Sequence, residues 1–172
     1  HMIVLINKFL NKDRNSSPFY PVFQRLKKNT EVEKIFKSIS ELSEKSEVRY
    51  VGGCIRKIIK QEEVDDIDLA TNIEPKKVIE ILKKNTIDFY ETGIEHGTIT
   101  ARIKNQKFEI TSLRKDISTD GRHARVEFSD NWYEDASRRD FTFNSIYADL
   151  NGNLYDPFNG KKDLEIGEVK FI

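Results

Sequence analysis

The sequence predicts one α/β or α+β domain built around a small sheet, and three observations lead there. Its 172 residues are enough for a single domain of ordinary size with a sizeable core. The apolar spacing switches repeatedly between helical and strand periods along the chain. Clusters of Gly, Pro, Asn and Ser punctuate those switches, with no internal repeat. Apolar residues make up 37% against 34% charged, which places the chain on the polar side of folded proteins, well away from disordered ones.

In order, residues 1–29 read as a partly irregular leader, because "NKDRNSSPFYP" breaks an initial apolar periodicity. From Thr30, the spacing of Val32, Ile35, Phe36, Ile39 and Leu42 predicts a helix to about Leu42, with Thr30 as N-cap and Glu33 completing a capping box. "VRYVGG" reads as a buried strand ending in two glycines, and "CIRKIIK" resumes helical spacing. "IDLAT" predicts a strand, and Pro75 opens a helix whose buried side is Val78, Ile79, Ile81 and Leu82. Alternation in "GTITARIKNQKFEITSL" predicts a β-hairpin around "KNQK". "RKDISTDGRHARVEFSD" is expected to be a long loop. "WYEDASRRDFTFNSIYADL" predicts a short helix leading into a strand, and "GNLYDPFNG" is rich in turns.

Charge and composition exclude several classes. Lys plus Arg and Asp plus Glu both number 29, so there is no global basic field and any nucleic-acid contact must be local. One cysteine, Cys54, excludes an intramolecular disulfide and a cysteine-rich zinc site. No stretch has the length of a membrane span or the pattern of a secretory signal, which makes a cytoplasmic location the expectation. His1 ahead of Met2 reads as a cloning remnant and stays out of any metal argument.

The chemistry is concentrated in four places. In "DDID", side chains two apart on a strand share a face, so Asp66 and Asp68 project together while Ile67 turns to the core. Such a pair suits two divalent ions roughly 3.5–4 Å apart, the arrangement used for in-line phosphoryl displacement. Magnesium favours hard oxygen donors and fits a site without histidine. The alternative for a bare D-x-D is a solvated acidic turn, and the neighbouring motifs decide between the two. Gly52 and Gly53 let the backbone approach a ligand, the amides behind them face phosphate, and Arg56 adds a forked cation. Glu109 joins the acidic cluster if its strand borders Asp66 and Asp68. In "RRDFTFNS", Arg139, Asp140 and Asn144 stand on an apolar base, placed to meet triphosphate or ribose oxygens; a helix-end ion pair is the bland alternative. "DGRHAR", with Asp120, Arg122, His123 and Arg125, is a candidate mobile lid.

Taken together, "VGGCIRK", "DDIDLAT", "HGT", "FEITSLRKD", "DGRHA", "RRDFTFNSIYAD" and "DPFNG" resemble, in unbroken order from about Arg49 to Ile172, the head domain of class II tRNA nucleotidyltransferases, the CCA-adding family. That family shares its fold with bacterial poly(A) polymerases. The resemblance implies an α+β, polymerase-β-like nucleotidyltransferase domain, a small mixed sheet flanked by helices, that adds nucleotides from CTP or ATP to a tRNA 3′ end with two Mg2+ ions. It assigns Gly53 and Arg56 to the triphosphate, Asp66 and Asp68 to the metals, and Arg139 with Asp140 to the incoming nucleotide; Asn144 lies in the same motif, and Glu109 falls on a further acidic position. Head-domain residues are expected over 30–160, with 161–172 starting a truncated neck. No protein partner and no membrane contact are implied. The family usually has Asp where this chain has Lys57, and the chain stops at "GEVKFI", where the family begins the base-reading neck; nucleotide binding without base discrimination is the expectation for such a fragment. An intact "LRKDISTDGRHARVEF" favours a CCA- or A-adding enzyme, with poly(A) addition and a catalytically silent RNA-binding module as alternatives.

Overall fold

The computed structural model describes residues 18–64, 66–118, 124–167 and 170–172. The strands run β1 (Val48–Val51), β2 (Ile67–Thr71), β3 (Asp88–Gly93), β4 (Thr98–Ile103), β5 (Gln106–Ser112), β6 (Arg114–Ser118), β7 (Ala124–Phe128), β8 (Tyr147–Ala148) and β9 (Leu154–Tyr155). The helices are α1 (Tyr20–Asn29), α2 (Val32–Ser40), α3 (Gly53–Ile59), α4 (Pro75–Lys84), α5 (Trp132–Ser137) and α6 (Gly160–Ile166). Seven strands make one mixed sheet in the order β3-β4-β5-β2-β1-β8-β9, and β6 with β7 form a separate ribbon. β2 and β5 are parallel; the other pairs are antiparallel.

Because side chains alternate across a strand, the register sorts them into two faces. On one face Tyr50, Leu69, Ile110 and Ile99 are fully buried or nearly so, and they join the main core with Phe23 of α1, Ile35, Phe36 and Ile39 of α2, and Val78, Ile81 and Leu82 of α4. Tyr50 is wedged between Phe23 and Phe36, with ring centroids 5.2 and 5.1 Å away. α6 adds Leu164 to this core and accepts a 2.7 Å hydrogen bond from Lys60 Nζ at its Leu164 carbonyl. The opposite face has a smaller apolar cluster of Val51, Ala70, Leu113, Ala136 and Tyr147, flanked by Trp132, Tyr155 and Phe158. The polar residues that matter for chemistry lie on that second face.

Most expected elements are present: the strand before the glycines and the helix after them, the "IDLAT" strand, the Pro75 helix, the hairpin and the short helix before β8. The hairpin turn is Lys104-Asn105, both with positive φ, so Gln106 and Lys107 belong to β5. Three readings are corrected. α2 starts at Val32 rather than Thr30, with Glu31 in the N-cap place: the Thr30 hydroxyl donates to the Leu26 carbonyl of α1 at 2.7 Å and accepts the Val32 amide of α2 at 3.4 Å. Leu42 falls beyond the helix and is 46% exposed. The segment expected to be a long loop is the β6–β7 ribbon, paired from Arg114↔Phe128 to Ser118↔Ala124. Its strands are exposed on most positions, so no apolar alternation marks them in the sequence. Residues 119–123, with Asp120, Arg122 and His123 of the expected lid, lie outside the described residues. β3 escaped the sequence reading because an edge strand with one core contact, Phe89, has almost no period-2 signal. Among the described residues no helix is long and apolar enough to cross a membrane.

Candidate active site

The parallel pairing of β2 with β5 puts Asp68 directly opposite Glu109, while their neighbours Ile67, Leu69, Phe108 and Ile110 turn into the core. Strand alternation thus creates the acidic pair: the apolar residues on either side anchor the register that holds it. Asp66 stands one residue before β2 and is exposed. Partial burial, a hydrogen bond with Glu109 and the charges of Glu109 and Asp66 push the Asp68 carboxyl up to about 6; the Arg139 guanidinium pulls the other way. Among the described residues no three His, Cys, Asp or Glu side chains are placed to hold a metal ion by themselves. The donor chemistry nevertheless fits a hard divalent cation: neighbouring oxygen-donor carboxylates whose repulsion Arg139 offsets only in part, with Asp66 and Glu109 exposed.

The glycine turn closes the same end of the sheet. β1 runs antiparallel to β2 with Tyr50 opposite Leu69, so the chain leaving β1 at Gly52 emerges beside the start of β2. Gly52 caps α3 with φ +72° and ψ −130°, a conformation that disfavours residues with a Cβ. No heavy atom lies within 4 Å of where a Cβ would stand on Gly52 or Gly53, so the space in front of this turn is open to a ligand. Cys54 anchors the turn, its Sγ 3.4 Å from the Val51 carbonyl and 3.7 Å from that of Asp68. Burial pushes its thiol up to about 11, so it serves in packing rather than reactivity. Arg56 is exposed and among the described residues makes no ion pair; Lys57 is half-buried beside it.

The third group is an arginine held from several sides. Arg139 donates from Nε and Nη2 to Asp135 Oδ2 at 3.2 and 3.0 Å, from Nε to the Tyr147 hydroxyl at 3.2 Å, and from Nη1 to the Asn144 carbonyl at 3.2 Å. Burial opposes its charge, but Tyr147 and Asp135 outweigh that and raise its pKa above the ordinary arginine value. Asp135 is 2% exposed, accepts the Tyr147 hydroxyl as well, and takes the Arg114 amide at 3.1 Å on its other oxygen. One buried carboxylate therefore joins Arg139 to the root of the β6–β7 ribbon. Arg138 reaches Asp116 of that ribbon at 3.1 Å, and the Asp135–Arg139 contact is itself the helix-end ion pair that stood as the bland alternative for this motif. The Asp140 side chain is exposed, and Asn144 enters through its backbone carbonyl.

The structure therefore gathers Asp68, Glu109 and Arg139, with Gly52, Gly53 and Asp66 at the same end of the sheet. Sequence reasoning missed Asp135 and Tyr147. The D-x-x-x-R spacing of Asp135 and Arg139 was the available signal, since residues four apart on a helix are neighbours.

Comparison with known proteins agrees with this geometry. The profile of the Poly A polymerase head domain matches residues 48–170. Human mitochondrial CCA tRNA nucleotidyltransferase 1 is 44% identical over 139 residues, covering 79% of this chain and 32% of that protein. The CCA-adding enzyme of Oceanobacillus iheyensis is 40% identical over 118 residues, 67% of this chain and 28% of its own. Among solved structures, the Bacillus stearothermophilus CCA-adding enzyme in complex with CTP superimposes with a TM-score of 0.69 at 28% identity, over 82% of this chain and 32% of that one. A tRNA nucleotidyltransferase complexed with a primer tRNA and an incoming ATP analog gives 0.58 at 26% identity, over 76% and 36%. The chain spans about a third of the length of these relatives. A matching profile over most of the chain, carried by the sheet that pairs Asp68 with Glu109, makes this protein a member of the poly(A) polymerase head-domain family.

Proposed function

We propose that this chain is the head domain of a template-independent RNA nucleotidyltransferase that transfers C or A from CTP or ATP to the 3′ end of tRNA. One observation carries the reading: Asp68 and Glu109 are locked side by side, at the sheet end where an open glycine turn faces them. In this reading Asp66 and Asp68 hold two Mg2+ ions, which when bound supply Lewis-acid activation of the attacking hydroxyl and neutralise charge on the leaving group. The amides of the Gly52-Gly53 turn and the Arg56 fork bind the triphosphate. Arg139, held by Asp135, Tyr147 and the Asn144 carbonyl, meets the incoming nucleotide, with Asp140 beside it. The RNA 3′-oxygen forms a bond to the α-phosphorus as the bond to pyrophosphate breaks, and the hydroxyl proton leaves toward Glu109. Positioning and electrostatics do nearly all the work in such a transfer.

The names of the relatives favour tRNA as acceptor over general polyadenylation, which would use the same head chemistry. The test is a calorimetric titration of the chain with each of the four ribonucleoside triphosphates plus magnesium, beside an Asp66→Asn, Asp68→Asn double variant. The expected result is magnesium-dependent binding that the double variant loses and that hardly distinguishes the bases. Binding indifferent to the two aspartates, or to magnesium, would overturn it.

A further inference from the structure

The row of side chains containing the acidic pair continues outward across the sheet. Glu109 stands opposite Thr100 of β4, and Thr100 opposite Tyr90 of β3, so Asp68, Glu109, Thr100 and Tyr90 share one face. In the next row Lys107 of β5 faces Arg102 of β4, which faces Asp88 of β3. Asp88, Tyr90, Arg102, Lys107 and Glu109 are all exposed, and Tyr90 shows 42% of its surface, so this half of the face is open.

The open half is ordered in a particular way. Arg102 donates from Nη1 to the Tyr90 hydroxyl at 3.2 Å and from Nη2 to Asn105 Oδ1 at 2.7 Å. The ring and the guanidinium thus fix each other, and the arginine keeps donors to spare. Both partners are neutral. Asp88 opposite adds only a longer-range attraction, and among the described residues neither Arg102 nor Lys107 is in an ion pair, unlike Lys104, which pairs with Glu31 at 3.1 Å. Two cations in no direct ion pair and a pinned exposed aromatic, on a sheet face, are the ingredients of a single-stranded RNA platform: phosphates meet the cations and a base stacks on the ring.

Resting on the nucleotidyltransferase reading above, we infer that Tyr90, Arg102 and Lys107 bind the last unpaired nucleotides of the acceptor RNA and feed its 3′ end toward Glu109. Two strand spacings separate Glu109 from Tyr90, about 9–10 Å, the length of about three stacked nucleotides at roughly 3.4 Å each. Tyr90 takes a base, and Arg102 and Lys107 take the phosphates that follow. These are positioning residues; none of them touches the transferred phosphate.

The experiment is fluorescence anisotropy of a 5′-fluorescein RNA hexamer ending in two cytidines, titrated with the wild-type chain and with Tyr90→Ala, Tyr90→Phe, Arg102→Ala, Lys107→Ala and, as control, Lys104→Ala. Nucleoside triphosphate affinity is measured calorimetrically on the same samples. Tyr90→Ala is expected to weaken RNA binding about tenfold or more, with Tyr90→Phe close to wild type. Arg102→Ala and Lys107→Ala should each lower the salt slope by about 0.7, and Lys104→Ala should leave it alone. Triphosphate affinity should not move in any of them. RNA binding unchanged in Tyr90→Ala, or a wild type that binds triphosphate but not the hexamer, overturns the platform and leaves the catalytic reading intact. Tyr90-dependent RNA binding without aspartate-dependent triphosphate binding does the reverse.

Discussion

The charged form of Asp68 is disfavoured, because burial and the neighbouring Glu109 and Asp66 all oppose it. Its carboxyl is raised from an ordinary 3.8 to about 6 in the folded chain. The folded state therefore binds the extra proton, and the resulting stability is fully present below the unfolded value and lost as pH rises from about 4 through about 6. Asp68→Asn should accordingly weaken magnesium-dependent triphosphate binding yet raise the metal-free melting temperature at pH 7, by about 2–4 °C for about 1 kcal/mol once solvent screening of a partly exposed group is allowed for. Near pH 4 the two proteins should melt together, and thermal scans at both pH values check this. The aspartates, glycines and arginines were legible in the sequence because their chemistry resides in residue type and short spacing. Asp135 was legible only through its i,i+4 spacing to Arg139; the Arg114 amide and the Tyr147 hydroxyl, which converge on the same carboxylate, are partners that only the fold assembles.

Among the elements, α3 separates ligand space from stability most cleanly. Gly53 is the first residue of the helix, has no positive φ, and faces open space. Gly53→Ala should leave folding unchanged or improve it by about 0.5–1 kcal/mol through helix propensity, while its methyl group occupies the space ahead of the turn and weakens triphosphate binding. Urea unfolding and calorimetry on the same variant test both halves; unchanged affinity would remove the turn from the binding site. Elements with a buried side were readable in advance, as α4 and β2 show, since burial imposes periodicity. The β6–β7 ribbon and the edge strand β3 expose most of their side chains, and so they wrote no period into the sequence. The displaced start of α2 has a different cause: Thr30 serves two helices, its hydroxyl donating to the Leu26 carbonyl of α1 at 2.7 Å and accepting the Val32 amide of α2 at the longer distance of 3.4 Å.

Across the whole molecule, 29 positive and 29 negative side chains cancel, so the chain has no long-range field to draw in RNA. With two phosphate contacts on a single strand, each contributing about 0.7 to the slope, RNA affinity should fall only about sevenfold between 50 and 200 mM salt. Anisotropy titrations at the two concentrations measure this directly; a drop of a hundredfold or more would point to a larger basic surface. The overall α+β plan could be read from alternating periods, but not the strand order, because nothing local says that β5 inserts beside β2 rather than at an edge. That insertion has a consequence for the birth of the protein. Asp68 and Glu109 lie on the one parallel pair of the sheet, which no tight turn can join, so their contact waits until the hairpin between them in the chain has been made and docked. A nascent chain that has emerged only to Thr71 already has the glycine turn and both aspartates, yet it has no acidic pair; that pair exists only after β5 has been synthesised and has paired beside β2.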